Sequence, residues 1–124
     1  MNPRRFVCSR SCAGEQRRIV WVHATAFDAE WRKDAELWIP SLPPTAGWRR
    51  AIWFDDWQEP FEVSIVYVGD YAQYGNPSNI AFEDGRHRFR MLYDLGFDPI
   101  PVGMDKESLR YARKLGLVHH TGTR

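Results

Sequence analysis

A chain of 124 residues with 44% hydrophobic and 27% charged residues is sized for one ordinary globular domain with its own core. Its formal net charge of +1 excludes bulk electrostatic attraction to nucleic acid, so any basic surface has to be local. No apolar run approaches the roughly 18 residues of a membrane-spanning helix and the amino terminus lacks the apolar core of a secretory signal, so a cytoplasmic protein with no membrane contact is expected.

Residues 1–16 are polar and basic and read as a flexible arm. Cys8 and Cys12 stand in a Cys-x-x-x-Cys spacing with no further metal ligands close by, so free thiols in a reducing compartment are the expectation. Arg18 to Ala24 is the first strand, apolar on both faces from Ile19 to Val22, with His23 as a structural histidine near its end. Phe27 to Leu37 reads as a short helix capped by Asp28, with Trp31, Ala35 and Trp38 on one face. Pro40, Pro43 and Pro44 then impose a loop. From Gly47 to Trp57 a helix is slightly favoured; its tryptophans interleave with Arg49 and Arg50, a combination that stacks bases in some proteins and packs a core in more.

Phe61 to Val68 is the second strand, and Gly69 to Ser78 a tyrosine-bearing loop that either borders a site or only connects. Asn79 to Phe82 is a short apolar run that leads into Glu83-Asp84-Gly85-Arg86-His87-Arg88, and a helix follows from Phe89 to Leu95, closed by Gly96. On that helix Arg90 and Asp94 are spaced for a surface ion pair. Pro99 to Val102 is the last strand. Asp105 caps the last helix, whose apolar stripe is Leu109, Tyr111, Ala112 and Leu115, and whose basic face is Lys106, Arg110, Arg113 and Lys114. That face suits an acidic partner or nucleic acid, and equally the dipole of its own helix. Strands alternating with helices predict an α/β (α+β) domain with a mixed β-sheet flanked by helices, over 17–118, and a disordered tail at 119–124.

The strand-to-helix turn concentrates the chemistry. The first N–H groups of a helix lack partners inside it and carry positive partial charge. Gly85 lets a ligand approach the backbone, and Arg86, His87 and Arg88 add side-chain donors, which together suit a phosphate. Asp84 is the expected N-cap, accepting from the N–H of Arg86 or His87, and Glu83 is a candidate general base or metal ligand. A plain Asp-Gly turn with solvated arginines has the same composition.

The run Asp84-Gly85-Arg86-His87-Arg88-Phe89, with Gly96 and Ile100-Pro101-Val102 after it, resembles the signature of the ParB/sulfiredoxin-like superfamily. Sulfiredoxins carry Gly-Cys-His-Arg and ParB-type proteins Gly-Glu-Arg-Arg. Gly85, His87 and Arg88 match the first; Arg86 stands in place of its cysteine, which rules against sulfinic-acid repair. The closer resemblance is to the oncogenic suppression protein-like plasmid fertility inhibition factor family. It rests on Phe82 to Phe89 with Phe27 to Asp34, Trp38-Ile39-Pro40 and Tyr93-Asp94-Leu95-Gly96, which departs from the family's Arg-Asp-x-Gly. It spans Ile19 to Val102.

The resemblance implies a small ParB/sulfiredoxin-like domain in a mobile-element accessory protein that inhibits conjugative transfer, acting on DNA or on the secretion machinery. It implies metal-dependent nuclease or nucleotide-hydrolysing (ATPase) activity. Gly85, Arg86, His87 and Arg88 would then hold a nucleotide or nucleic acid, Glu83 and Asp84 a Mg2+ ion, and Glu83, Asp84 and His87 the catalytic roles. Adjacent carboxylates on a strand point to opposite faces, which ranks binding above hydrolysis. The alternative is a non-enzymatic interaction module that docks a protein such as a secretion-system ATPase.

Overall fold

The protein is described by a computed structural model covering residues 6–8, 16–41 and 61–119. Its elements in chain order are β1 (Phe6–Val7), β2 (Arg18–Val22), α1 (Ala24–Trp31), β3 (Phe61–Glu62), β4 (Ser64–Val68), a 3-10 turn (Tyr71–Tyr74), β5 (Ile80–Asp84), α2 (Arg86–Asp94), β6 (Ile100–Met104) and α3 (Lys106–Lys114). The expected helix at Gly47 to Trp57 lies outside the described residues, as do most of the amino-terminal arm and His120 to Arg124. Within that arm Phe6–Val7 is a strand, paired parallel with β3. Cys8 is disulfide-bonded, which corrects the expectation of a free thiol.

The main sheet has the order β2-β6-β4-β5. β2/β6 and β4/β5 are antiparallel and β6/β4 parallel, so the domain is a small mixed α+β fold, as the strand and helix alternation predicts. β6 lies inside the sheet and is buried at all five residues. Its Pro101 lacks an N–H, and the parallel ladder with β4 takes up only beyond it, at Val102 and Gly103. Among the described residues no helix is long and apolar enough to cross a membrane.

Helices pack through an aromatic cluster. Trp31 packs on Phe82 of β5 with ring centres 4.5 Å apart and tilted by 49°, Phe27 lies 5.0 Å from Phe89 of α2, and Trp31 meets Phe89 edge-on at 5.8 Å. Phe89 is fully buried, so the start of α2 is held against the end of β5 by apolar burial worth about 2–3 kcal/mol for one such ring.

Several local expectations are corrected. α1 begins at Ala24 and ends at Trp31, where Phe27 to Leu37 was expected. Its N-cap is His23, and the carboxylate that caps it comes from far along the chain: Asp98 Oδ1 accepts from the Ala24 N–H at 3.0 Å. Asp28 serves the core. Its Oδ1 accepts from Trp38 Nε1 at 3.0 Å and from Nη2 of Arg90. Arg90 is therefore no surface partner of Asp94; it is fully buried, donates through Nε to the Ile39 carbonyl at 2.7 Å, and lies 4.7 Å from the Tyr93 ring centre. The glycine stops hold. The Phe97 N–H reaches Leu92 C=O and the Gly96 N–H reaches Tyr93 C=O, both at 3.0 Å, the paired bonds that end a helix at a left-handed glycine. Asp105 caps α3 by accepting from the Ser108 N–H at 2.8 Å, as expected, whereas Leu115 is 41% exposed and drops out of the apolar stripe.

Candidate functional site

β5 runs two residues beyond its apolar lead-in, through Glu83 and Asp84, and α2 starts at Arg86 rather than Phe89. The joint is Gly85, at φ +87, a left-handed conformation that glycine adopts without strain. A side chain there has no room: a Cβ would sit 2.9 Å from both Cα and Oγ of Ser64. Ser64 Oγ donates to the Gly85 carbonyl at 2.7 Å, tying the turn to β4.

Gly85, not Asp84, is the N-cap, and no side chain caps this helix. Asp84 instead accepts from Arg88 Nη2 at 3.2 Å, one helical turn on. The first turn of α2 contains no acidic residue and three basic-capable ones, which leaves its amides and dipole without a carboxylate of their own.

A β-bulge separates the two carboxylates. Phe82 pairs with Val66 and Asp84 with the adjacent Ile65, so Glu83 is the extra residue. Its Oε1 accepts from Arg17 Nη2 and from Tyr67 Oη, both at 2.8 Å. Arg17 has a side chain only 1% exposed, against 42% for Glu83, and its guanidinium also donates to Tyr67 Oη and lies 5.1 Å from that ring's centre. A buried guanidinium needs such a counter-charge. Arg17, Tyr67 and Ser64 are the site residues that sequence reasoning missed. They lie 66, 16 and 21 residues from their partners, and an arginine ahead of an apolar strand is the one local signal.

The arginines differ. Arg86 Nη1 donates to the Leu37 carbonyl at 2.7 Å, and among the described residues no carboxylate pairs with it. Arg88 pairs with Asp84, and its Nε is buried with no hydrogen-bond acceptor among the described residues. His87 is exposed. Between them opens a cleft of about 330 Å³, lined by Phe82 to Arg88. That is near the lower end for ligand pockets, enough for a phosphate group or the phosphate end of a nucleotide.

Both carboxylates expected to hold Mg2+ are engaged within the chain. Glu83 is held by Arg17 and Tyr67, Asp84 by Arg88, and each points to its own partner. Mg2+ is commonly held through one or two carboxylates together with waters and phosphate oxygens, so a cation here would have to draw these carboxylates away from their arginines.

Of three other clefts, two are larger than the one at Gly85 and one is smaller. One of about 650 Å³ runs along the basic face of α3, lined by Lys106, Arg110 and Arg113 together with Gln16, Asp105 and Glu107. Arg110 is already paired with Glu107 at 2.6 Å, and Lys114 lies 5.3 Å from the Tyr111 ring centre. The tyrosine loop lines two further clefts and not the one at Gly85. Tyr71 lies in both, with its phenol pushed above its ordinary value of 10.0 by burial and, secondarily, by the Asp105 carboxylate.

No protein-family model, curated protein or solved structure matches this chain.

Proposed function

We propose that the turn at Gly85 binds the phosphate of a nucleotide or of DNA, within a mobile-element accessory protein of the fertility-inhibition type. The supporting observation is the start of α2: a helix N-terminus without a side-chain cap or an acidic first turn, opening on a cleft lined by Arg86, His87 and Arg88. The buried Nε of Arg88, without an acceptor among the described residues, adds a further donor on the same side chain. The family part of the reading rests on the resemblance of Phe82 to Phe89 and its flanking blocks.

Binding, rather than hydrolysis, is the activity these residues favour. Glu83 acts here as the counter-charge of Arg17 and Asp84 as the partner of Arg88, so neither carboxylate is poised as a base. On phosphate binding, Arg86 exchanges the neutral Leu37 carbonyl for an anionic acceptor that its planar guanidinium can engage with two N–H groups at once.

The test is calorimetric titration of the full chain with inorganic phosphate, ATP and a short duplex oligonucleotide, with and without Mg2+. Wild type should bind at least one of the three, and the Arg86→Ala/Arg88→Ala variant should bind it at least about tenfold more weakly. Equal affinity for wild type and variant would sink the reading. The engagement of both arginines within the chain favours one alternative, a non-enzymatic interaction module. It is supported if no phosphate compound binds while a purified secretion-system ATPase does.

A further inference from the structure

The smallest of the clefts, about 280 Å³, lies between the end of β4, the 3-10 turn and α3. Four of the chain's five tyrosines line it: Tyr67, Tyr71, Tyr74 and Tyr111. So do three carboxylates, Asp70, Asp105 and Glu107, whereas among the described residues no lysine or arginine does. In a chain with 17 basic and 16 acidic residues that lining is one-sided.

Hydrogen bonds between elements fix the walls. The Val68 N–H donates to Ser108 Oγ at 3.1 Å and so joins β4 to α3. The Gly69 N–H donates to the Asn79 carbonyl at 3.0 Å and the Ala72 N–H to Asn79 Oδ1 at 2.9 Å, which hold the turn in place. Gly69 also leaves room for the Tyr71 ring, which a Cβ would meet at 2.9 Å. A ligand therefore finds most of the cleft already ordered. Tyr74, by contrast, is 79% exposed and contributes nothing to the core.

The charges are not all free. Asp105 accepts from the Ser108 N–H, and Glu107 pairs with Arg110. Asp70 is exposed, makes no cap bond to the turn that follows it, and has no ion pair among the described residues. The Tyr71 phenol, held above its ordinary value by burial and then by Asp105, is at a place where negative charge is disfavoured. The carboxylate that disfavours a phenolate favours a cation, and tyrosine rings add to this because their faces carry negative potential. Two of the four rings already take cations from the chain itself. The Arg17 guanidinium lies 5.1 Å from the Tyr67 ring centre and the Lys114 ammonium 5.3 Å from that of Tyr111.

We propose that this cleft binds an organic cation, the ammonium or guanidinium head of a small molecule or of a partner protein's side chain, with Tyr71 and Tyr74 as aromatic contacts and Asp70 as counter-charge. Its volume suits a single head group and is below that of pockets for larger ligands. The cleft shares no lining residue with the one at Gly85, so the proposal does not rest on phosphate binding there.

The experiment is titration of the full chain, at constant ionic strength, with tetramethylammonium chloride and with a short arginine-containing peptide, followed by calorimetry and two-dimensional NMR. At least one probe should bind saturably and shift the Tyr71 and Tyr74 resonances. Binding of tetramethylammonium alone assigns a small-molecule cation; binding of the peptide, lost when its arginine is replaced by citrulline, assigns a partner's side chain. Asp70→Asn and Tyr74→Ala, both at exposed positions, should each weaken binding at least about threefold, while Glu36→Gln, an exposed acid outside the cleft, leaves it unchanged. Bound tetramethylammonium, charged at every pH, should also move the ionisation of Tyr71 down, a readout that needs no variant. No saturable binding of either probe, binding that survives in Asp70→Asn/Tyr74→Ala, or an equal loss in Glu36→Gln would each overturn the proposal.

Discussion

Replacing Gly85 by alanine tests the turn on which the site is built. The substitution carries two separate costs. Alanine held at φ +87 is strained by about 1–2 kcal/mol relative to its own preferred backbone. The new methyl also meets Ser64, with Cα and Oγ each 2.9 Å away. The first is backbone of a buried strand and cannot move aside cheaply, so overpacking adds about 1–3 kcal/mol. Arg88 Nη2, at 2.8 Å, is the tip of a flexible side chain and adds little. The sum is about 2–5 kcal/mol, which for a domain of this size lowers Tm by roughly 10 °C or more. Gly96→Ala isolates the first cost, because Gly96 has φ +91 and no atom within 4 Å of the added position. Urea denaturation of the two variants should therefore show Gly85→Ala less stable than Gly96→Ala by about 1–3 kcal/mol. Equal losses would refute the close approach of the turn to β4, and with it the geometry that aims α2 at the cleft.

The buried pair of Asp28 and Arg90 is the second target: Asp28→Ala strands a guanidinium in the core and should cost about 3–5 kcal/mol, whereas Asp28→Ala/Arg90→Met should recover much of that, as a double-mutant cycle in urea would show. Glu83→Gln should lower stability by about 1–3 kcal/mol by weakening the bonds to Arg17 and Tyr67, yet leave phosphate affinity within a factor of about two; a variant of full stability that no longer binds would assign Glu83 to the ligand instead. Tyr71 should ionise above the ordinary tyrosine range in an ultraviolet titration, with Tyr71→Phe deleting the late step and Asp105→Asn moving it down. Because folding raises that pKa, its contribution to stability is present below the unfolded value of 10.0 and is lost as pH rises through the folded one. A Tyr71 that titrates at the ordinary tyrosine value would contradict the burial.

The elements that could be read from the chain are those whose cause lies within a few residues. Gly96 and Gly116 end their helices because only glycine takes the left-handed position cheaply, and Asp105 caps α3 because its acceptor is three residues from the donor. The strands at Ile19 and Ile65 follow from β-branched runs, and the turn at Gly85 stands where its composition puts it. Asp28 and Asp84 were both expected as caps by the same local rule, and both fail it for one reason. Each carboxylate lies within reach of an arginine, Arg90 or Arg88, and a charged partner outweighs a backbone amide.

Composition and pattern by themselves therefore determined a small α+β domain and the position of a basic strand-to-helix turn. Which charges cancel inside it was decided only when β4 came to lie between β5 and β6. That order brings Arg17 and Tyr67 to Glu83 and Ser64 to Gly85, across separations that no local propensity encodes. Hydrogen bonds along a helix or at its ends select residues three or four apart; burial of a charge selects whatever partner the finished sheet places beside it.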